Sequence, residues 1–489
     1  MSRDGKSGFQ KRLGLFDCTA VVMGSMIGSG IFIVSADMAR ALGSPGWLLL
    51  AWAVTGLLTV TAALCYGELA GMMPRTGGQY VYLREAYHPL AAFLYGWTSF
   101  LVIQCGTIAA VGMGFAKFTG VLFPVVTEST VWLQWKFIRL TPVHAVAVSM
   151  IVLLTWINTL GIVAGKRVQN AFTSSKTLIM AAFILAGLLA ARNPEALRLN
   201  AEGFWKAASL TDRGPVPLSG LALLATFGTA MVGSLFSSDA WNNITFCSDE
   251  VVRPGRNIPL SLFLGTAAVA VLYLLMNVVY LQALPLRGDP AAAAAFDRGI
   301  QFAADDRVAT AAIGGLLGDS AAVVMALFIL ISIFGCNNGI ILSGSRIYYA
   351  MARDGLFFRP VGVLNRRGVP GRGLAVQGIW TCLLCLSGTY GDLLDYVVFA
   401  VLLFYILTIG AVFMLRRKRP DAPRPVKAFG YPVVPALYMA ATALILADLL
   451  VFKPMYTWPG LVLVLLGIPV YFVWNRRRSA SAPSEPANP

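Results

Sequence analysis

At 489 residues the chain is 57% hydrophobic and 12% charged, with a mean hydropathy of +0.71. Soluble domains carry roughly 25% charged residues, so an ordinary soluble fold is excluded. The net charge of +15 tracks topology rather than a nucleic-acid surface, because Lys and Arg favour the cytoplasmic loops by about two to one. No nucleic-acid partner is expected.

Apolar runs long enough to cross a hydrocarbon core of roughly 30 Å centre near Val22, Leu57, Val102, Leu153, Ala182, Thr229, Leu272, Phe328, Leu383, Phe404, Leu444 and Leu463. Twelve spans with that charge bias put both ends in the cytoplasm. Residues 1–13 form a cytoplasmic N-terminus, and 476–489 a polar, Pro-rich tail expected to be disordered. The first run continues to about Arg40 without a small-residue cleavage site, so it reads as a span and not a signal peptide.

Within that run, Gly24 to Gly30 (GSMIGSG) weakens the helix at a depth where no water can satisfy freed backbone groups. A break at Gly28-Ser29-Gly30 leaves the N-terminus of an outer half-helix inside the membrane, where amides and dipole suit a carboxylate. Near the inner end of span 2, Glu68 lies close to Arg75 and is expected to fix the loop 74–80 by ion pairing, with substrate binding as the alternative. In span 5, Lys176 lies at membrane depth between Ser174, Ser175 and Thr177, a costly placement that is functional by default. Snorkelling to the cytoplasmic surface is the structural alternative.

After an extracellular loop, 192–218, the sixth run carries a second break within Gly228 to Trp241. It exposes carbonyls around Phe236, Ser237, Ser238 and Asp239, which can accept hydrogen bonds from an ammonium group. An anion site facing a cation site detects a zwitterion, so the chain reads as built to hold a small polar solute. The competing reading is that the glycines only permit tight helix packing.

Met26-Ile27-Gly28-Ser29-Gly30-Ile31-Phe32 is echoed by Met231-Val232-Gly233-Ser234-Leu235-Phe236. Each motif opens a five-span block, 14–191 and 219–416, and an odd span number inverts the second block relative to the first. A cytoplasmic loop, 417–430, and two added spans, 431–475, follow. Arg346 and Arg353 read as inside anchors or as gate partners for Asp17 or Glu250. Trp47, Trp52, Trp97, Trp458 and Trp474 read as an interfacial belt. Cys382 and Cys385 stand in an apolar helix without His or Cys partners, so neither a metal nor any other cofactor is expected. No nucleophile–His–acid set or HExxH motif points to an enzyme.

From about Leu13 to Trp474 the chain resembles the amino acid–polyamine–organocation superfamily, and within it bacterial relatives of the L-type amino acid transporters. The resemblance rests on Gly28-Ser29-Gly30-Ile31-Phe32, Tyr66-Gly67-Glu68-Leu69, Pro74-Arg75-Thr76-Gly77-Gly78-Gln79-Tyr80 and Trp156-Ile157-Asn158. Arg167-Val168-Gln169-Asn170 through Lys176, Phe236 through Trp241-Asn242-Asn243, and Arg256-Asn257-Ile258-Pro259 also match. So do Asn338-Gly339 through Ser345-Arg346 and Pro423-Arg424-Pro425-Val426-Lys427.

The resemblance implies an all-α polytopic membrane protein of twelve transmembrane helices, a LeuT-type five-plus-five inverted repeat with helices 1 and 6 discontinuous. It implies that Gly28, Ser29 and Gly30 bind the substrate carboxylate, with Met26 and Ile27 on the approach. Phe236 matches the aromatic gate, and Ser237, Ser238 and Asp239 the stretch that takes the amino group. L-type members often carry a glycine where Asp239 stands. That carboxylate either faces the substrate, favouring small or cationic ones, or caps the inner half-helix beginning near Trp241. Val102, Ile103, Cys105, Cys336, Asn337, Phe399 and Leu402 match side-chain pocket positions. Lys176 matches a lysine that reaches between spans 1 and 8 and substitutes for Na⁺.

The implied activity is sodium-independent exchange of neutral L-amino acids by alternating access. Proton-coupled uptake of small or cationic amino acids or polyamines is the alternative, and a membrane nutrient sensor a remote one. The loop 125–140 lacks the cysteine that joins some relatives to a heavy chain, so no disulfide-linked partner is expected. The implied location is a bacterial inner membrane.

Overall fold

Several helices open on the same local device, a polar residue followed by proline. Ser44, His88 and Asn193 each accept a backbone N–H of the first turn, while Pro45, Pro89 and Pro194 take the first helical position. Proline is harmless there because its missing N–H belongs to the unsatisfied first turn. A computed structural model describes residues 9–135, 138–189, 193–211, 214–386 and 390–480. Residues 1–8 of the N-terminal segment and the tail beyond 480 lie outside the described residues.

Eleven helices among the described residues are long and apolar enough to cross a membrane. We number the spans in chain order. Span 1 is Leu15–Ile33 with an interruption, continued by Ser35–Leu42, and span 2 is Pro45–Met72. Span 3 covers Pro89–Leu122, span 4 Pro142–Thr159 and span 5 Ile162–Leu189. Span 6 begins with Gly220–Ser237, span 7 is Pro254–Ala283 and span 8 is Asp319–Arg353. A shorter helix of 15 residues, Gly371–Cys385, stands where the sequence places span 9. Spans 10, 11 and 12 are Tyr390–Lys418, Val433–Phe452 and Pro454–Ala480.

The connections are not purely helical. Leu133–Trp135 pairs with Ile138–Leu140, and Ala208–Thr211 with Gly214–Pro217, as two antiparallel hairpins. An all-α reading therefore holds for the spans but not for these two loops.

Span 2 lies along span 7 in the most extensive helix pair, and span 1 is enclosed by spans 5, 7 and 8. That enclosure is what lets irregular backbone survive at membrane depth. Span 5 shows how a helix presents one face to protein. Gln169, Thr173, Lys176, Met180 and Phe183 are buried on one stripe, while Leu178, Leu185 and Leu189 face outward.

The two ends of the bundle differ. At the basic end, Arg12 and Leu13 donate their amides to the Glu250 carbonyl at 2.8 and 2.9 Å, and Val252 donates to Leu13. The Arg346 guanidinium pairs with Glu250 at 3.1 Å, both side chains fully buried, and lies over the Phe9 ring. Asp17 pairs with Lys166 at 2.6 Å and accepts from Asn170. Of the two acids proposed for Arg346, Glu250 is therefore its partner and Asp17 is not. At the far end, the outer half of span 1, span 6 and the start of span 10 surround an open cavity of about 340 Å³.

Two further expectations need correction. Glu68 does not pair with Arg75. It takes Arg416 at 2.6 and 2.9 Å, Arg424 at 3.3 Å and the Ala428 amide, because span 10 ends beside the inner end of span 2. Trp52 is not interfacial; it is buried against Tyr273. Among the described residues, Trp132, Trp156 and Trp205 are exposed as well, outside the expected belt.

Candidate functional site

Span 1 winds regularly from Leu15 to Met26, unwinds over Ile27, Gly28 and Ser29, and resumes at Gly30. The break leaves carbonyls without helical partners, and four side chains from other spans meet them. The Lys176 ammonium of span 5 donates to the Gly24 and Ile27 carbonyls at 2.6 and 2.7 Å, and to Ser332 O of span 8 at 3.4 Å. Ser332 Oγ also reaches the Ile27 carbonyl. Cys336 Sγ donates to Ser25 O at 3.0 Å. Tyr273 of span 7 puts its hydroxyl 2.8 Å from Met26 O and 3.1 Å from Ser237 O, touching both broken helices.

Lys176 is 3% exposed, so it points inward rather than snorkelling. Its charge sits at the C-terminal end of a half-helix, where the macrodipole is negative. A buried ammonium needs partners for its donors, and backbone carbonyls supply them here without a carboxylate.

Span 6 breaks later than expected. Gly228 through Ser237 stay helical, and the chain unwinds over Ser238 to Asn242 before a short helix, Asn243–Phe246. The local reason is Ala240, whose φ of +64° cannot belong to a right-handed helix. No side chain caps Asn243–Phe246. Asp239 does not cap it; its carboxylate accepts the Tyr405 hydroxyl from span 10. Trp241, next in the turn, is buried against Tyr66 and Tyr405.

The two breaks touch through missing side chains. A Cβ on Gly30 would stand 2.1 Å from Ser237 Oγ, and one on Gly28 would stand 2.9 Å from Cys336 Sγ. Met26, Ile27, Gly28, Ser29, Gly30, Ser237 and Cys336 therefore form one buried cluster with Lys176. Beside it, Ser238, Asp239 and Leu402 border a hollow of about 20 Å³, and Ile103 and Asp239 a second of about 10 Å³. Each has room for about one water.

Ile103 closes a wide helical turn, Ser99–Ile103, that also includes Val102. Such turns re-aim side chains and recur at functional sites. Phe236 is buried in the last turn before the span 6 break. Asn337 donates to Ile108 O of span 3. The contacts of two proposed pocket residues lead away from the breaks. Cys105 Sγ faces Tyr348 and Gln377 O, and the Phe399 ring lies against Gly460 of span 12. Tyr273, Ser332 and Tyr405 were not foreseen, since single hydroxyls in apolar runs give no pattern.

Two helices interrupted at membrane depth, enclosed by neighbouring spans, define a multi-pass membrane carrier of small solutes. A family model described as amino acid permease matches residues 13–482. The chain is 30% identical over 474 residues to the human large neutral amino acids transporter small subunit 2, covering 96% of this chain and 82% of the relative. The human b(0,+)-type amino acid transporter 1 is 29% identical over 472 residues, covering 95% and 88%. The chain belongs to the amino acid permease family: it is an amino acid transporter and not an enzyme.

Proposed function

We propose that the chain exchanges neutral L-amino acids without sodium across a bacterial inner membrane, with both termini cytoplasmic. In this reading the fold is a LeuT-type five-plus-five inverted repeat of twelve spans. Gly28, Ser29 and Gly30 cradle the substrate carboxylate, and Phe236 closes over it. Ser237, Ser238 and Asp239 receive the ammonium group. The remaining pocket positions select the side chain.

The observation that carries sodium independence is the Lys176 ammonium on the Gly24 and Ile27 carbonyls. It occupies with a tethered charge the oxygen cage that a dissolved cation would need. The stitched basic end and the open far end correspond to a carrier facing outward.

The test is uptake of labelled leucine into proteoliposomes. Uptake that needs internal amino acid and is unchanged when choline replaces sodium supports the proposal. Uptake into empty liposomes, or strict sodium dependence, overturns it. A second reading, proton-linked uptake of small or cationic amino acids, is favoured by Asp239 alone, the carboxylate that borders both hollows. Uptake that acidifies the liposome lumen would select it.

One human relative is named as a small subunit. We propose that this chain makes no disulfide link to any partner, because the loop 125–140 has no cysteine. A single band on a non-reducing gel of membranes is the expected result, and a reducible higher band would refute it.

A further inference from the structure

The arginines at the basic end fall into two groups. One group is spent on structure: Glu68 takes Arg416 and Arg424, Glu85 and Asp354 take Arg84, and Glu250 takes Arg346. The other group has no such acid within reach. Residues 355–391 contain four arginines and neither Asp nor Glu. Of these, Arg366, Arg367 and Arg372 are exposed and make no ion pair among the described residues.

Topology alone asks only for positive charge in such a loop, in any arrangement. Here a fixed turn presents it. Asn365 accepts the Arg367 and Val369 amides at 2.9 and 3.2 Å and donates to Thr159 O of span 4 at 3.1 Å. Gly161, at φ of +120°, lets the turn sit close, since a Cβ there would stand 3.5 Å from Arg367 Cβ. Arg372 follows in the first turn of the Gly371–Cys385 helix, whose positive dipole end adds to the field. That helix packs its Gly378 on Thr155 of span 4. Beside this contact, Trp156 and Ile379 are 59% and 65% exposed, and Leu153 is exposed as well. Three guanidinium groups therefore stand at the end of an apolar seam between two spans, with a tryptophan one turn from the end of span 4.

We propose that this corner binds an anionic phospholipid of the leaflet at the basic end. Arg366, Arg367 and Arg372 take its phosphate oxygens in charge-assisted hydrogen bonds, and its acyl chains run along Leu153, Trp156 and Ile379. Phosphatidylglycerol fits because it offers a negative charge alone, whereas phosphatidylcholine adds a cation that the arginines repel. Each arginine is worth a factor of about five toward anionic lipid, so three give a preference of about 100-fold. The site does not depend on which solute the breaks carry.

The test is native mass spectrometry of the full chain in detergent with equal phosphatidylglycerol and phosphatidylcholine, read as the ratio of lipid-bound forms. Wild type is expected to favour phosphatidylglycerol about 100-fold, and the Arg366→Gln/Arg367→Gln/Arg372→Gln variant less than about threefold. Arg75→Gln/Arg256→Gln/Lys427→Gln removes the same charge elsewhere at the basic end and is expected to keep the wild-type ratio. Trp156→Ala is expected to weaken both lipids and leave their ratio unchanged. A wild-type ratio under about tenfold overturns the site, as does an equal loss in the two triple variants, which would assign the preference to overall charge. Release of the bound lipid by inorganic phosphate would show that the seam contributes nothing and would overturn the lipid site in favour of a free anion.

Discussion

The breaks in spans 1 and 6 meet the same physical problem in opposite ways. Span 1 leaves four carbonyls at membrane depth and has them met from outside, by Lys176, Cys336, Tyr273 and Ser332. Span 6 turns on its own backbone at Ala240 and adds an acid, Asp239, held by Tyr405. One break is propped by a cation from another helix, and the other carries its own anion. An interruption in a bilayer is thus a property of its surroundings as much as of the segment that breaks.

Removing the cation is the strongest way to break this comparison. Lys176→Ala leaves the Gly24 carbonyl unpaired, at a cost of about 1–3 kcal/mol, and leaves the Ile27 carbonyl with Ser332 Oγ alone. Exchange is expected to fall by more than about 100-fold with the chain still folded, measured in liposomes beside a melting curve. Near-normal exchange would remove Lys176 from the mechanism.

Gly30→Val acts next, at the contact between the breaks. Its Cβ would meet Ser237 Oγ at 2.1 Å and Ser237 Cα at 3.0 Å, so the outer half of span 1 must move. Leucine affinity at the central site is expected to drop at least about tenfold. Adding Ser237→Gly is expected to restore part of the loss. Affinity unchanged in the single variant would place the cradle elsewhere.

Tyr273→Phe sharpens the comparison, because that hydroxyl is shared by both breaks. Loss of one neutral hydrogen bond, about 1 kcal/mol, predicts a roughly fivefold fall in exchange rate. A loss as large as that of Lys176→Ala would make the tyrosine an equal prop.

Ala240→Gly is the mildest test and has the opposite sign. Glycine adopts φ of +64° freely, so the variant is expected to melt higher, by about 1 kcal/mol of stability. A lower melting temperature would show that the Ala240 methyl packs more than it strains.

The sequence made the first break legible because three glycines within seven residues sit where a helix is otherwise expected. It also exposed Lys176, since a charge in an apolar run has few innocent explanations. The second break was foreseen in the right span but spread over too many residues, because glycine content pointed to Gly228 and Gly233. Those two positions are helical and serve close packing against Asp448 and Val34. The turn falls instead on an alanine, a residue that carries no breaking signal. The sequence ties Glu68 to the loop that follows it, whereas the structure brings Arg416 to it across 348 positions.

What the chain determines by itself is therefore local: the apolar lengths that cross a membrane, the charge bias of the loops, and the places where winding is weak. These depend on solvation and backbone freedom within one segment. Which donor reaches which orphaned carbonyl was decided only by tertiary packing. Lys176, Tyr273 and Ser332 find span 1 from positions about 150 to 300 residues away, and hydrogen bonding demands a fit of a few tenths of an ångström that no spacing along the chain encodes.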